Sequence, residues 1–377
     1  MPRPRLIYFT TVDWYFVQHY LPLALAARDA GYDVAVMTTP LEHDEQIRSA
    51  GLRLIPIQVS RRGFNPIVEV GTLLRIARIL KGERPDLLHN IAHKPVLYGT
   101  IAARITKVRT VYNALGGLGH IFTTTGPKAR ALRTMVLRSY RVLLSRPNVQ
   151  VAVQNPDDAD MLADLAGVQA SVIGGAGVDL ERFVPHSEPP PPVSVLLASR
   201  LLWDKGVAEY LQAAHILRER GVDARFALAG KPDNGNPASV TKAQVEQWQA
   251  SGVVDWLGFR EDMDQVLARC HIVCLPSYYG EGIPKILIEG LAAARPIITT
   301  DHPGCRETVV NGENGFLIPP RDPHALADAL QVLIQDETMR RRFGKRSRAL
   351  AEAEFGFQGV AEKVLHLYGE LLQSNKR

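Results

Sequence analysis

The 377-residue sequence predicts an α/β protein of two doubly wound, parallel-sheet domains, and three observations carry that expectation. Short strand patterns alternate with helical ones through the first half. A break from Pro185 to Pro192 holds five prolines in eight residues, and the alternation restarts at Val193.

In the first half the strand patterns are Arg5 to Phe9, Asp33 to Met37, Arg53 to Ile57, Asp86 to Asn90, Arg109 to Tyr112 and Val149 to Val153, with helices over Val17 to Ala30 and Pro66 to Lys81. Beyond the prolines come strands at Val193 to Ala198, Arg225 to Ala229, Val253 to Leu257, Ile272 to Leu275 and Pro296 to Thr299, with a helix over Val207 to Arg220. The prolines can neither lie in a central strand nor continue a helix. The expected division is therefore a first domain over residues 1–184, a linker over 185–192, a second domain over 193–356 and a helical tail over 357–377. In open α/β sheets ligands bind beyond the carboxyl ends of the strands, so two such domains facing each other would form a binding cleft.

At 46% hydrophobic and 22% charged residues, the composition is that of an ordered globular chain. No apolar run approaches the roughly 20 residues that span a bilayer. Cys270, Cys274 and Cys305 are odd in number and lack metal spacing, which points to a reducing cytoplasm. The net charge of +5 is uneven: 21 basic against 14 acidic residues up to Leu180, and 23 against 25 after it. The first half is thus suited to an anionic surface or substrate, with no nucleic-acid partner expected.

Cofactor motifs are weak. Thr10-Thr11-Val12-Asp13 follows the first strand where a dinucleotide site needs a glycine-rich turn, and Gly174-Gly175-Ala176-Gly177 leads into a proline-rich stretch and reads as a turn. Asp158-Ala159-Asp160 and Asp262-Met263-Asp264 each open a helical pattern, where carboxylates cap free amides, so no metal is expected.

Strand Val193 to Ala198 delivers Arg200 and Lys205 at its carboxyl end. Fixed cations there would stabilise the charge that builds on a departing diphosphate. Strand Ile272 to Leu275 leads into Glu281-Gly282-Ile283-Pro284-Lys285 and on to Glu289, a loop entering a helix with Pro284 in its first turn. Amides of Gly282, Ile283 and Lys285 could then receive anionic or hydroxyl oxygens, and the two acids could grip separate parts of one elongated ligand.

These residues resemble the retaining glycosyltransferases of family 4. Glu281 and Glu289 match that family's Glu-x7-Glu motif, and Arg200 and Lys205 match its diphosphate-binding Arg and Lys. The likeness extends through Gly258-Phe259-Arg260, the Thr299 to Pro320 segment and Gly177-Val178-Asp179. It implies the GT-B fold, two Rossmann-like domains across a cleft, and a UDP-sugar donor without any required cofactor. By that resemblance Glu281 contacts the donor sugar, Glu289 holds the ribose, the base lies near Arg260, and Arg200 with Lys205 stabilises the leaving diphosphate. Transfer proceeds on the front face, a phosphate oxygen helping to deprotonate the acceptor. The tail Gln358 to Leu372 would cross back to the first domain.

Thr10 to His19, His89 to His93 and Tyr112 to His120 resemble a subgroup acting on polyprenyl-diphosphate-linked sugars, commonly with UDP-N-acetylhexosamines, in capsule, O-antigen or exopolysaccharide assembly at the inner face of the bacterial membrane. On that resemblance the acceptor candidates are Asp13, His93, Asn113, Gly117 and His120. Tyr112 stands where the family often has His, which leaves a catalytic histidine unassigned. Lys128 to Arg146 forms a basic amphipathic helix that either lies on anionic lipid or packs on the sheet. Other readings of the same fold are a sugar-nucleotide epimerase or hydrolase and a silent nucleotide-sugar-binding scaffold.

Overall fold

The computed structural model describes residues 3–60, 66–118, 126–233 and 236–374. Contacts divide the chain into two compact units, residues 1–176 with 358–377, and residues 177–357.

The first unit holds seven parallel strands: β1 (Arg5–Val12), β2 (Asp33–Thr39), β3 (Arg53–Pro56), β4 (Leu87–Ile91), β5 (Thr110–Leu115), β6 (Val149–Val153) and β7 (Ser171–Val172). Their order is β3-β2-β1-β4-β5-β6-β7, so the chain winds outward twice from β1. β4 and β5 are buried at every residue, as central strands covered on both faces must be. One face, with Ile7, Phe9 and Met37, packs under helices Pro66–Glu83 and His93–Thr106. The other carries Tyr8, His89 and Tyr112, and helix Phe357–Ser374 closes over them. There the Tyr368 hydroxyl lies 2.5 Å from His89 Nδ1 and 3.2 Å from the Tyr8 hydroxyl. Burial pushes the His89 ring down to about 3, so it stays neutral.

The second unit is a six-stranded parallel sheet of β8 (Val193–Ala198), β9 (Ala224–Ala229), β10 (Asp255–Gly258), β11 (Ile272–Leu275), β12 (Ile297–Thr300) and β13 (Gly315–Ile318), ordered β10-β9-β8-β11-β12-β13. β8 and β11 are neighbours although Val195 and its partner Ile272 stand 77 positions apart, because the winding reverses between them. A ligand site in this fold lies at that reversal.

The unit boundary precedes the proline stretch. Val178 and Phe183 are buried in the second core, and the Val178 amide donates to Phe355 O at 2.8 Å. Glu188 receives Arg340 Nε and Nη2 at 3.1 and 3.0 Å, and Pro189 O lies 3.0 Å from His271 Nε2, so the prolines are packed against this unit. Gly177 has φ +73°, and a Cβ there would sit 2.8 Å from Phe357 Cα; only glycine allows the entering and leaving chain to cross so closely.

Several elements differ from expectation. The helix expected over Val17 to Ala30 is two, Asp13–His19 and Leu21–Asp29, because Tyr20 leaves the helical region and Pro22 begins a new first turn. β13 has no counterpart in the sequence reading. Its pattern Gly315-Phe316-Leu317-Ile318 is short, and pairing to β12 over four residues makes it a strand. Among the described residues, no helix is long and apolar enough to cross a membrane.

Candidate active site

Two loops meet where β8 and β11 end. The first runs from Ser199 through a 3-10 turn, Trp203–Lys205, to Gly206; the second runs from Pro276 to Pro284. The Tyr278 amide donates to Asp204 O at 2.9 Å and Ser277 Oγ to the same oxygen at 3.3 Å. Gly206, at φ +77°, lets the loops touch, since a Cβ there would lie 2.2 Å from Pro276 O.

That contact brings two of the expected residues together, Lys205 and Glu281. Lys205 is 6% exposed and its Nζ forms a short ion pair with Glu281 Oε1, which also accepts from Ser277 Oγ at 3.1 Å. Lys205 Nζ further lies 5.2 Å from the centre of the Tyr279 ring, a cation–π contact that adds to its hold. Arg200, on the same loop, pairs through Nη1 with Asp233 Oδ2 at 2.9 Å. A third loop, after β12, braces the second. Thr300 Oγ1 donates to Ser277 O, and Gly304 approaches Gly282 so closely that a Cβ would sit 2.1 Å from its carbonyl oxygen.

The helix beyond Glu281 is Lys285–Ala292, and Pro284 is its N-cap with extended ψ 124°, not a residue of its first turn. Pro284 cannot donate a hydrogen bond, and its place leaves the Lys285 end of the helix at the loop. Glu289, one turn in, is buried, and its carboxyl is pushed above the usual carboxylate range by desolvation, opposed by Lys285, whose Nζ is 3.5 Å away. Arg182 and Asp264 are the next charges around it. Arg260 follows β10 on the exposed surface, paired with Asp262 at 2.8 and 2.5 Å. Asp262 stands at the N-cap of helix Met263–Ala268 but makes no side-chain cap, and Asp264 goes to Arg182 at 2.9 Å. The expected capping by this Asp-x-Asp pair thus fails: each carboxylate finds an arginine instead. In the other triplet, Asn155 is the cap, accepting from the Asp158 amide at 2.8 Å. Among the described residues, no group of three or more His, Cys, Asp and Glu side chains is placed to hold a metal ion.

The acceptor candidates lie in the first unit. Asp13 is fully buried and accepts from the Leu41 and His43 amides at 2.6 and 2.9 Å, which fastens the loop after β2. His93 begins its helix after Ala92, whose φ is +72°, and its Nδ1 lies 2.6 Å from the Tyr140 hydroxyl. Burial lowers its pKa, while the Leu118 and Gly117 backbone opposes that shift. Asn113 is buried and accepts from Asn90 Nδ2 at 2.9 Å and Thr100 Oγ1 at 3.1 Å. Gly117 has φ +107° at the end of β5, and His120 lies outside the described residues. Asp13 and Asn113 therefore spend their side-chain oxygens inside the protein, and His93 is braced by Tyr140.

Sequence reasoning missed Asp233, Ser277, Tyr279 and Tyr140. Asp233 and Ser277 each follow a strand end, which is a usable signal; Tyr140 is one of several buried residues of an arginine-rich helix and carries none.

Two parallel-sheet units, with cations and acids gathered at the winding reversal of one of them, define a GT-B glycosyltransferase. The chain belongs to that class by sequence as well: residues 180–350 match the glycosyl transferases group 1 family and residues 5–147 the glycosyl transferase 4-like family. It is 28% identical over 376 residues to the N,N'-diacetylbacillosaminyl-diphospho-undecaprenol alpha-1,3-N-acetylgalactosaminyltransferase of Campylobacter jejuni, covering 95% of this chain and 96% of that protein. It is 24% identical to the capsular polysaccharide biosynthesis glycosyltransferase CapM of Staphylococcus aureus, covering 93% of each. Anabaena HepE, solved with UDP-glucose, superposes with a TM-score of 0.77 at 19% identity over 97% of this chain and 99% of that one. Sucrose-phosphate synthase of Thermosynechococcus elongatus does so with a TM-score of 0.80 at 22% identity over 99% of this chain and 100% of that one.

Proposed function

We propose that this glycosyltransferase moves an N-acetylhexosamine from its UDP-sugar to a polyprenyl-diphosphate-linked saccharide, with retention at the anomeric carbon, in bacterial surface-glycan assembly. The observation that carries the donor half is the Lys205–Glu281 ion pair, which joins a cation and an acid from two strand ends beside Arg200. The names of the Campylobacter jejuni and Staphylococcus aureus relatives support the acceptor and pathway. The alpha-1,3 product in the first name supports retention, since an α product from an α-linked nucleotide sugar keeps its configuration.

In this reading Arg200 and Lys205 bind the diphosphate and strengthen their hold as the glycosyl bond breaks. Glu281 turns from Lys205 to the donor sugar, Gly282, Ile283 and Pro284 line the sugar side, Glu289 takes the ribose hydroxyls, and the base rests near Arg260. The departing phosphate oxygen accepts the acceptor's proton, so no side-chain base and no metal is needed. Asp13, His93, Asn113, Gly117 and His120 mark the acceptor side, with Asp13 shaping it through the Leu41 and His43 amides it holds and Asn113 through the Asn90 and Thr100 side chains.

The acceptor's lipid places the protein at the cytoplasmic face of the membrane. Helix Pro127–Leu144 supports this: Val136, Tyr140, Leu143 and Leu144 pack inward, while Leu132, Met135 and Val142 are exposed among Arg130, Arg138 and Arg141. A face both apolar and basic suits anionic lipid, each basic residue contributing about 1 kcal/mol near the surface.

The deciding experiment offers UDP-sugars in turn with a panel of lipid-diphosphate-linked sugars and scores product mass and anomeric configuration. A single UDP-N-acetylhexosamine giving an α-linked lipid product, unchanged by EDTA, is expected. Free sugar or an epimer without transfer would refute the reading. Arg200→Ala and Lys205→Ala should each lower kcat by about 10²- to 10³-fold, in the range of other donors to a developing anion.

A further inference from the structure

Arg200 has a carboxylate partner of its own. Its Nη1 donates to Asp233 Oδ2 at 2.9 Å, with side chains 38% and 19% exposed. Asp233 follows β9, and its loop is sewn onto the Arg200 loop by backbone bonds. Leu201 N donates to Lys231 O at 3.1 Å, Trp203 N to Ala238 O at 2.9 Å and Val240 N to Leu201 O at 2.9 Å. The Asp233 amide donates to Ser239 Oγ at 2.9 Å, which fixes the turn that aims its carboxylate. The two cations of this loop are thus both matched by carboxylates, Lys205 by Glu281 and Arg200 by Asp233.

We infer that Asp233 is a positioning residue of the donor site, whose carboxylate holds the Arg200 guanidinium between turnovers and competes with the nucleoside diphosphate for it. The inference rests on the reading of Arg200 and Lys205 as the diphosphate site. A phosphate oxygen and a carboxylate oxygen make the same kind of charge-assisted bond to guanidinium, so a diphosphate that takes the Nη1 edge of Arg200 must displace Asp233 from it. The carboxylate also places a negative charge beside a site built for an anion. Both effects lower the affinity for the leaving diphosphate, and Asp233 thereby speeds its release.

Asp233→Asn separates charge from shape, because the amide oxygen can still accept from Arg200 while the negative charge is gone. Binding of UDP alone, read by calorimetry, should tighten by roughly fivefold, the scale of a partly exposed ion pair. With chemistry left intact, kcat should fall as release slows, and a burst of first-turnover product should appear. In an Arg200→Ala background the same substitution should tighten UDP binding less than it does when Arg200 is present, because only the repulsion between the carboxylate and the anion is then relieved. Asp233→Ser removes the same charge and covers the case in which the amide disturbs the loop. A purely structural role would weaken UDP binding and lower thermal stability together. Unchanged or weaker UDP binding in both folded variants overturns the inference, as does equal tightening with and without Arg200. The two readings fail differently. If Arg200→Ala and Lys205→Ala bind UDP like the natural protein, the donor site itself is misplaced. If they bind it weakly while Asp233→Asn is unaltered, only the role of Asp233 falls.

Discussion

Among the buried titratable groups, Asp158 is the instructive one. It is 6% exposed, and desolvation pushes its carboxyl up to about 6 despite bonds from Asn155 and the Leu118 backbone. A carboxyl with a folded pKa above its unfolded value favours folding at low pH and loses that contribution as pH rises through the folded value. Asp158→Asn should therefore gain stability relative to the natural protein between pH 4 and pH 7.5, by about 2 to 3 kcal/mol. Urea melts at the two pH values measure it, and a pH-independent difference would show that Asp158 ionises freely. The Lys205–Glu281 pair calls for a different probe. Removing either partner strands a buried charge at a cost of about 3 to 5 kcal/mol, so Glu281→Gln, which keeps an acceptor for Lys205, is the cleaner probe of the sugar contact.

Among elements, the site depends on loops that touch without side chains between them. Gly304, at φ +81°, presses on the Gly282 carbonyl, and Gly206 presses on that of Pro276. Gly304→Ala would be strained by its backbone angle and would push the Glu281 loop aside, costing about 2 kcal/mol of stability and at least tenfold in kcat/KM. Unaltered kinetics with a lowered melting temperature would dissociate this brace from the site. Helix Pro127–Leu144 gives the second test at this scale. Arg138→Glu with Arg141→Glu should reduce flotation with anionic vesicles by more than tenfold and leave binding to neutral vesicles unchanged. Equal partitioning of both proteins would remove the lipid contact.

At the scale of the whole molecule, the last helix completes the first sheet. Val360, Ala361, Val364, Tyr368 and Leu371 are buried, and Tyr368 covers Tyr8, His89 and Tyr112. Each such side chain contributes about 1.5 to 3 kcal/mol when fully buried, somewhat less for alanine, and together they rival the whole stability of a domain. A chain ending at Phe357 should lose the cooperative melting of residues 1–176 and keep that of residues 177–357. Two intact transitions in its calorimetric trace would contradict this.

Much of this was legible beforehand because it follows from local chemistry. Alternating strand and helix patterns define parallel winding, and Arg200, Lys205, Glu281 and Glu289 stand out because strand ends deliver them. The amino-acid order by itself thus determined the α/β class, the two sheets and the residues of the loops that follow β8 and β11. Tertiary structure alone decided that Asp233 faces Arg200, that Asp13 holds two backbone amides, that four residues after Asn314 pair as β13, and that the prolines pack against the second unit. Those facts depend on which distant groups come within about 3 Å, and a hydrogen bond across dozens of residues leaves no periodicity in the chain to read.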